Sequence, residues 1–209
     1  YYSNLGYGLL DYVIERIAEI PYPDFMRSEV FIPLGMNATS IGKQPGGAEA
    51  TSYGPDGVAY PAYDFDHPGG SAAYASIEDL LAFGRFHLHG GNLLDKAAVH
   101  QMHLASFHVT TTRGYGLGWG VNTDRFGYRI VEHTGFMGGV SAVLRLVPEH
   151  DLVIAVVANG QTDKTWKSAE DAMAALFPDY RSNLIDEREA PPEAAKTASV
   201  GGEYFGCWK

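Results

Sequence analysis

The sequence predicts an α+β domain in which a helical lobe comes first and an antiparallel sheet flanked by helices comes last. Three observations carry that reading. Before Arg113 the periodicity is helical, with Leu5, Leu9, Leu10, Val13, Ile14 and Ile17 recurring at three- and four-residue steps. Three β signals then crowd together, at Tyr128 to Thr134, Val140 to Val147 and Leu152 to Ala158. The connections between them, Gly138-Gly139 and Pro148-Glu149-His150-Asp151, are so short that neighbouring strands must run antiparallel.

The opening helix carries Asp11, Glu15, Arg16 and Glu19 on its other face and stops at Pro21 and Pro23. A short helix follows from about Asp24 to Phe31, closed by Pro33-Leu34-Gly35. Asn37 to Ser71 is irregular and rich in Gly, Pro, Tyr and Asp. A loop of that length in a compact domain is usually disordered or part of a site, and its tyrosines favour an ordered wall. Ser76 with Asp79 three positions on has the form of a capping box, Asp standing in for Glu. Leu80, Leu81, Phe83, Phe86 and Leu88 carry that helix to Gly90-Gly91, and Lys96 to Leu104 reads as another short helix. Tyr115-Gly116-Leu117-Gly118-Trp119-Gly120 is a strand or strand-turn. The strand Leu152 to Ala158 is apolar on both faces and so should be covered on both, with a helix at Trp166 to Phe177 as one cover. From about residue 183 the chain is polar, with Pro191-Pro192, and has the composition of a linker. Gly201 to Trp208 then looks like the first strand of a further unit, dividing the chain into 1–182 and 183–209.

A length of 209 residues with 45% hydrophobic content suits one sizeable core. The net charge of -10 argues against nucleic acid or an anionic membrane surface as partner. No run of 18 apolar residues offers a membrane span. The single cysteine, Cys207, excludes a disulfide within the chain. Tyr1-Tyr2-Ser3-Asn4 has neither a start methionine nor the pattern of a leader, so the chain is expected to begin inside a longer protein.

Two short elements could carry chemistry: Tyr2-Ser3-Asn4 at the mouth of the first helix, and His133-Thr134-Gly135 on a late strand. Alone, each also fits a bland role, an aromatic packed at a helix end or a strand histidine satisfied by a carbonyl. The other candidates are poorer. His87, His89, His100 and His103 lack the third ligand and fixed geometry of a zinc site, and read as solvated or capping side chains. Asp64 and Asp66 alternate in a loop and should face solvent. Gly69-Gly70 does not follow a strand and open a helix as a phosphate loop does. No metal and no cofactor is expected.

In this order and setting the two motifs resemble the second and third motifs of serine β-lactamases and penicillin-binding proteins. Tyr-Ser-Asn paired with His-Thr-Gly looks like the branch of DD-carboxypeptidases, class C β-lactamases, related esterases and D-aminopeptidases. Tyr2 to Leu10, Phe31-Ile-Pro-Leu-Gly-Met36, Gly69-Gly70 before Ser76 to Leu80, Tyr115-Gly-Leu-Gly-Trp119 and Asn159-Gly160 extend the resemblance over roughly residues 1–180. It implies a β-lactamase/transpeptidase-like fold, incomplete in this chain. Tyr2 would be the general base and later the acid, and Asn4 would bond the substrate amide and a catalytic lysine. The His133 strand would offer an edge to substrate backbone, and Thr134 its hydroxyl to a carboxylate. Gly135 would let the scissile carbonyl approach, and the Phe136 N–H would form half of an oxyanion hole. His133 stands where many relatives have lysine, so carboxylate recognition should weaken as pH rises through about 6.5.

The family nucleophile lies in a Ser-x-x-Lys upstream of Tyr-x-Asn. Ser40-Ile41-Gly42-Lys43 has that spacing, but it lies downstream in a glycine-rich loop where no helix aligns Ser with Lys. The expectation is an acyl-enzyme hydrolase of amides or esters, whether D-peptide, β-lactam or simple ester. Its nucleophile would come from an upstream segment, in the same or a separate chain, and this fragment would be inactive alone. A non-catalytic sensor of peptidoglycan-like or penicillin ligands, or a scaffold, are the competing classes. A periplasmic or extracellular location follows from the resemblance only.

Overall fold

The computed structural model describes residues 3–43, 49–61, 63, 65–66 and 68–189. Helix α1 (Asn4–Ala18) starts at Ser3, whose hydroxyl accepts the Gly6 N–H at 3.1 Å. Among the described residues the apolar stripe is largely exposed. Leu5, Leu9, Val13 and Ile17 are exposed, Ile17 to 79%, whereas Asp11 is buried. The 3-10 turn Pro68–Gly70 seats the helix through Asp11 and the Asn4 backbone, while Glu15, Arg16 and Glu19 stay exposed. The Asp11 carboxylate accepts the Gly69 N–H at 2.6 Å, and a Cβ on Gly70 would lie 2.8 Å from the Asn4 carbonyl oxygen. Gly69-Gly70 thus serves close approach of two backbones.

Helix α2 (Tyr22–Phe25) runs straight into a π-helical turn, Met26–Phe31, within the span expected as one helix. Tyr22, Phe31, Met36, Ile41 and Ala72 form the small core of this lobe, with Ile14 of α1 packed on it. Strand β1 (Ser40–Ile41) pairs antiparallel with β2 (Ala73–Tyr74). Helix α3 (Ile77–His89) is capped by Ser76, whose hydroxyl accepts the Asp79 N–H at 3.2 Å. That is half of the expected box. Instead of reaching back, Asp79 Oδ2 accepts from the Ala38 N–H at 2.8 Å and the Thr39 hydroxyl at 2.7 Å, clamping the segment before β1. Asp79→Ala should therefore lower stability by about 2–3 kcal/mol, read as a shift in the urea midpoint. Asp79→Asn, which keeps an acceptor, should lose less.

Helix α4 (Lys96–Met102) leads to six antiparallel strands in chain order. They are β3 (Phe107–His108), β4 (Arg113–Tyr115), β5 (Gly120–Arg125), β6 (Tyr128–Met137), β7 (Val140–Val147) and β8 (Leu152–Ala158). The last three are those expected from sequence, β6 three residues longer than read. Strand β5 has a polar second half, Asn122-Thr123-Asp124-Arg125. The tight turn at Phe126-Gly127, both at positive φ, recruits it onto β6. Helices α5 (Lys164–Leu176) and α6 (Pro178–Glu189) close the fold.

Side chains alternate between the two faces of the sheet. Ile130, Val143, Val147 and Ile154 pack on Ala169, Met173, Tyr180 and Leu184 of α5 and α6. Val131, Leu144, Leu146 and Trp119 pack on Phe83 and Leu88 of α3. Strand β8 is covered by α3 and α5, as its unbroken apolar sequence requires. Helix α6 continues through the start of the stretch read as linker, with Leu184 buried one turn beyond Tyr180. The expected strand at Gly201 to Trp208, and Cys207 with it, lie outside the described residues. Among the described residues no helix is long and apolar enough to cross a membrane.

Two buried polar clusters escaped the sequence reading. Arg145 of β7 donates from Nε to Glu132 at 2.7 Å and from Nη2 to Glu170 at 2.8 Å. The other Glu170 oxygen accepts from Arg125 at 3.1 Å and from the Tyr180 hydroxyl at 2.7 Å. Burial alone would raise the Glu170 carboxyl, but Arg145 and Arg125 hold it below the usual range. Burial and the Glu170 charge push the Tyr180 phenol up.

The second cluster corrects the expectation of solvated histidines. His87 and His103 are buried, their Nδ1 and Nε2 atoms 3.2 Å apart, with Phe83 and Trp119 packed around them. Burial, then His103, lowers His87 to about 3; burial, Arg129 and His100 lower His103 to about 4. Below the ordinary value of 6.5 the unfolded chain therefore takes up protons that the folded one refuses. Stability should fall with pH from there, by about 1.4 kcal/mol per unit for each ring, until His103 and then His87 protonate in place. Urea titrations between pH 7 and 4 check this, with His87→Gln expected to flatten the slope. His89 pairs instead with Asp151 at the surface, and no three metal-binding side chains cluster among the described residues.

Candidate active site

The candidate site is built on one strand that outlasts its neighbour. Pairing of β5 with β6 ends at Gly120–Glu132, whereas pairing of β6 with β7 continues to Met137–Val140. Residues 133–137 thus have β7 on one side and, among the described residues, no strand on the other. Alternation puts His133 and Gly135 on the face of Val131, turned toward α3. Thr134 and Phe136 share the face of Glu132, turned toward α5. Gly135 is exposed, and a Cβ there would meet only the Ala142 Cβ, at an ordinary 3.6 Å. Packing within the fold does not demand glycine at this position.

The turn after β4 links this strand to α1. Gly116 donates to the Trp119 carbonyl at 2.8 Å, and Leu117 to that of Met102 at 3.0 Å. A Cβ on Gly116 would lie 2.2 Å from the Met102 oxygen, and Gly118 has φ +80°, so both glycines are required. The turn holds the Tyr115 hydroxyl 3.1 Å from His133 Nε2, rings edge-on. The Tyr7 hydroxyl, one turn into α1, lies 3.9 Å from where a Gly118 Cβ would sit. The start of α1, with Ser3 as cap and Asn4 as first residue, and the His133 end of β6 therefore both reach the 115–119 turn. Tyr2 lies outside the described residues. Tyr115 was missed as a site residue because its string reads as a strand-turn, and no spacing rule aims a tyrosine across a sheet.

Burial pushes the His133 imidazole below 6.5, opposed by a hydrogen bond to the Thr134 backbone and by the Glu132 charge. The proton is thus lost at lower pH than the sequence alone implied. Described residues of the irregular stretch before β2 bond to the loops at the ends of β6 and β8. Tyr63 donates to the Gly138 carbonyl at 2.7 Å, Tyr53 donates from its N–H to the Asn159 carbonyl at 3.0 Å, and Asn159 donates to that of Thr51 at 2.9 Å. Asp64 is outside the described residues. Ser40 lies in β1 and donates to the Gly42 carbonyl at 2.9 Å, Gly42 has φ +77°, and Lys43 pairs with Glu49 at 3.0 Å. Ser40 and Lys43 therefore share no helix face.

A family model described as Beta-lactamase matches residues 1–176. The chain belongs to the beta-lactamase family. It is similar to a penicillin-binding protein of Bacillus subtilis (strain 168), 26% identical over 231 residues that cover 99% of this chain and 50% of that protein. The octameric penicillin-binding protein homologue from Pyrococcus abyssi shares its fold, with a TM-score of 0.74, 22% identity, and coverage of 91% of this chain and 47% of that one. So does the D-alanine carboxypeptidase AmpC from Burkholderia cenocepacia, with a TM-score of 0.71, 18% identity and coverage of 84% and 60%. The chain spans about half the length of the relatives it matches. The observed α+β architecture is the β-lactamase/transpeptidase-like fold expected from the motifs.

Proposed function

We propose that this beta-lactamase-family domain is part of a serine hydrolase that cleaves an amide or ester through an acyl-enzyme. The observation that carries the reading is the strand overhang at residues 133–137, with no strand among the described residues on one side and anchored through Tyr115 beside the start of α1. An extended substrate would lie along that edge as an added strand. Gly135 would leave room for the scissile carbonyl, and the Phe136 N–H would receive its developing negative charge. A serine from an upstream Ser-x-x-Lys would attack the carbonyl carbon while Tyr2, as phenolate, takes the hydroxyl proton. Tyr2 then returns that proton to the leaving nitrogen or oxygen, and water repeats the sequence to free the acid. Asn4 would hold the substrate amide side chain, and Thr134 and His133 the carboxylate end. The His-Thr-Gly motif leans toward D-amino-acid peptides over β-lactams. The 2.9 Å turn contact of Ser40 supports a nucleophile elsewhere than Ser40, and with it inactivity of this fragment alone.

Intact-mass measurement of the full-length protein incubated with benzylpenicillin tests the proposal. A serine adduct upstream of Tyr2 is expected, persistent for a peptidase and short-lived for a lactamase. No adduct, together with no ester hydrolysis, would leave a binding role and end the enzyme reading.

A further inference from the structure

Residues 102–104, where α4 ends, form a junction at which each carbonyl meets another element. The Met102 carbonyl accepts the Leu117 N–H at 3.0 Å, and the His103 carbonyl accepts from Arg129 of β6 at 2.9 Å. The Leu104 carbonyl lies 2.8 Å from where a Gly116 Cβ would sit. The His103 side chain fastens this junction to α3, its Nε2 being 3.2 Å from Nδ1 of His87. Both rings are buried, 3% and 4% exposed, and pack on Trp119, the residue after Gly118 in the same turn. One contact between two imidazoles thus ties α3 to the end of α4 that holds the turn. Ring nitrogens at that distance share one hydrogen. An imidazole and an imidazolium still share it, whereas two imidazoliums each present a hydrogen and repel.

We propose that His87 and His103 form an acid-sensitive clasp on the candidate site, keeping the 115–119 turn closed while the rings are unprotonated and letting it part from α4 when they take up protons from solvent. The elements packed around the pair all resist its charging. From α4 and β6 the charged or titratable neighbours are His100 and Arg129. From α3 and the turn come the uncharged rings of Phe83, Phe86 and Trp119. Burial and then His103 hold His87 to about 3, and burial, Arg129 and His100 hold His103 to about 4, against an ordinary 6.5. The clasp is therefore fully engaged above 6.5. Between there and about 4 the open turn binds two protons that the closed turn refuses, so opening gains up to about a hundredfold per pH unit.

This inference rests on the hydrolase reading only in treating the turn as part of an active site. Amide hydrogen exchange of the full-length protein, corrected for the intrinsic rate at each pH, tests it. From about pH 6 to 5 the Leu117 amide should lose roughly a hundredfold in protection, and at each pH it should stay less protected than the amides of β7, which is paired on both sides. His87→Gln leaves one titrating ring and a carboxamide that either donates or accepts across the gap, so the loss should shrink to about tenfold. His103→Gln is the reciprocal test and should do the same. Leu117 exchanging together with β7 at every pH would show that the turn opens only with the whole domain, and would overturn the proposal. So would the full wild-type slope persisting in the two variants. The measurement uses no substrate, so its outcome is separate from that of the hydrolase reading.

Discussion

Glu170→Ala is expected to destabilise the domain by about 3–5 kcal/mol, because it strands Arg145 in the interior with one of its two carboxylates gone. Arg145 is 1% exposed and Glu170 0%, so water cannot take over the lost contacts. Tyr180, whose hydroxyl lies 2.7 Å from Glu170, and Arg125 each lose a bond to Glu170 in the same step. For a domain of this size each kcal/mol moves the melting temperature by about 2–4 °C, so a fall of roughly 6–20 °C follows. Glu170→Gln, which keeps the shape and one acceptor, should lie between. The sign with pH is fixed by the depressed Glu170 carboxyl. Its contribution is present above the ordinary carboxylate range and disappears as pH falls through the folded value. The double variant Arg145→Met, Glu170→Leu should cost less than the sum of its parts, since neither charge is then left alone. A melting shift of Glu170→Ala under about 2 °C would show that the cluster is solvated and the argument wrong.

Gly135→Val should have the opposite signature: near-normal stability and, in the full-length protein, a loss in kcat/KM of about a hundredfold or more. The fold leaves room for a side chain there, the nearest contact of a Cβ being Ala142 at 3.6 Å, and valine suits a strand. On the proposed reading, valine would occupy the space a substrate carbonyl needs beside this strand edge. Displacing reacting groups by about 1 Å is enough for such a loss. Thermal melts alongside ester or peptide turnover separate the two effects. Activity retained in a stable Gly135→Val protein would remove the strand edge from the site. An unstable variant would instead show that this glycine serves packing.

The strands β6, β7 and β8 were readable because alternating or unbroken apolar runs, broken by Gly-Gly and Pro-Glu-His-Asp, leave one pairing open to them. Strand β5 was not, since Asn122-Thr123-Asp124-Arg125 owes its conformation to the turn that follows and not to its own composition. Helix α1 was legible in place, but not in how it is seated among the described residues. Periodicity reports which residues share a face, whereas the bond from Gly69 to Asp11, 58 positions away, decides which face is inside. Arg145 was visible as a charge in an apolar strand, but its partners come from two other elements. The proposed roles of Tyr2 and His133 rest on the two motifs read as a pair in context, because neither carries the geometry by itself, and Tyr2 lies outside the described residues. The Tyr115 contact depends on a turn across the sheet, and the His87–His103 pair on two helices meeting over Trp119.

The way α1 is seated has a practical side. Leu9, Val13 and Ile17 contribute little to the described interior, because the helix is gripped through a carboxylate and two glycines on the reverse side. Lysines or fluorescent labels installed along that ridge would leave the described packing untouched. The same ridge is therefore open, among the described residues, to any further part of the protein that packs on this helix.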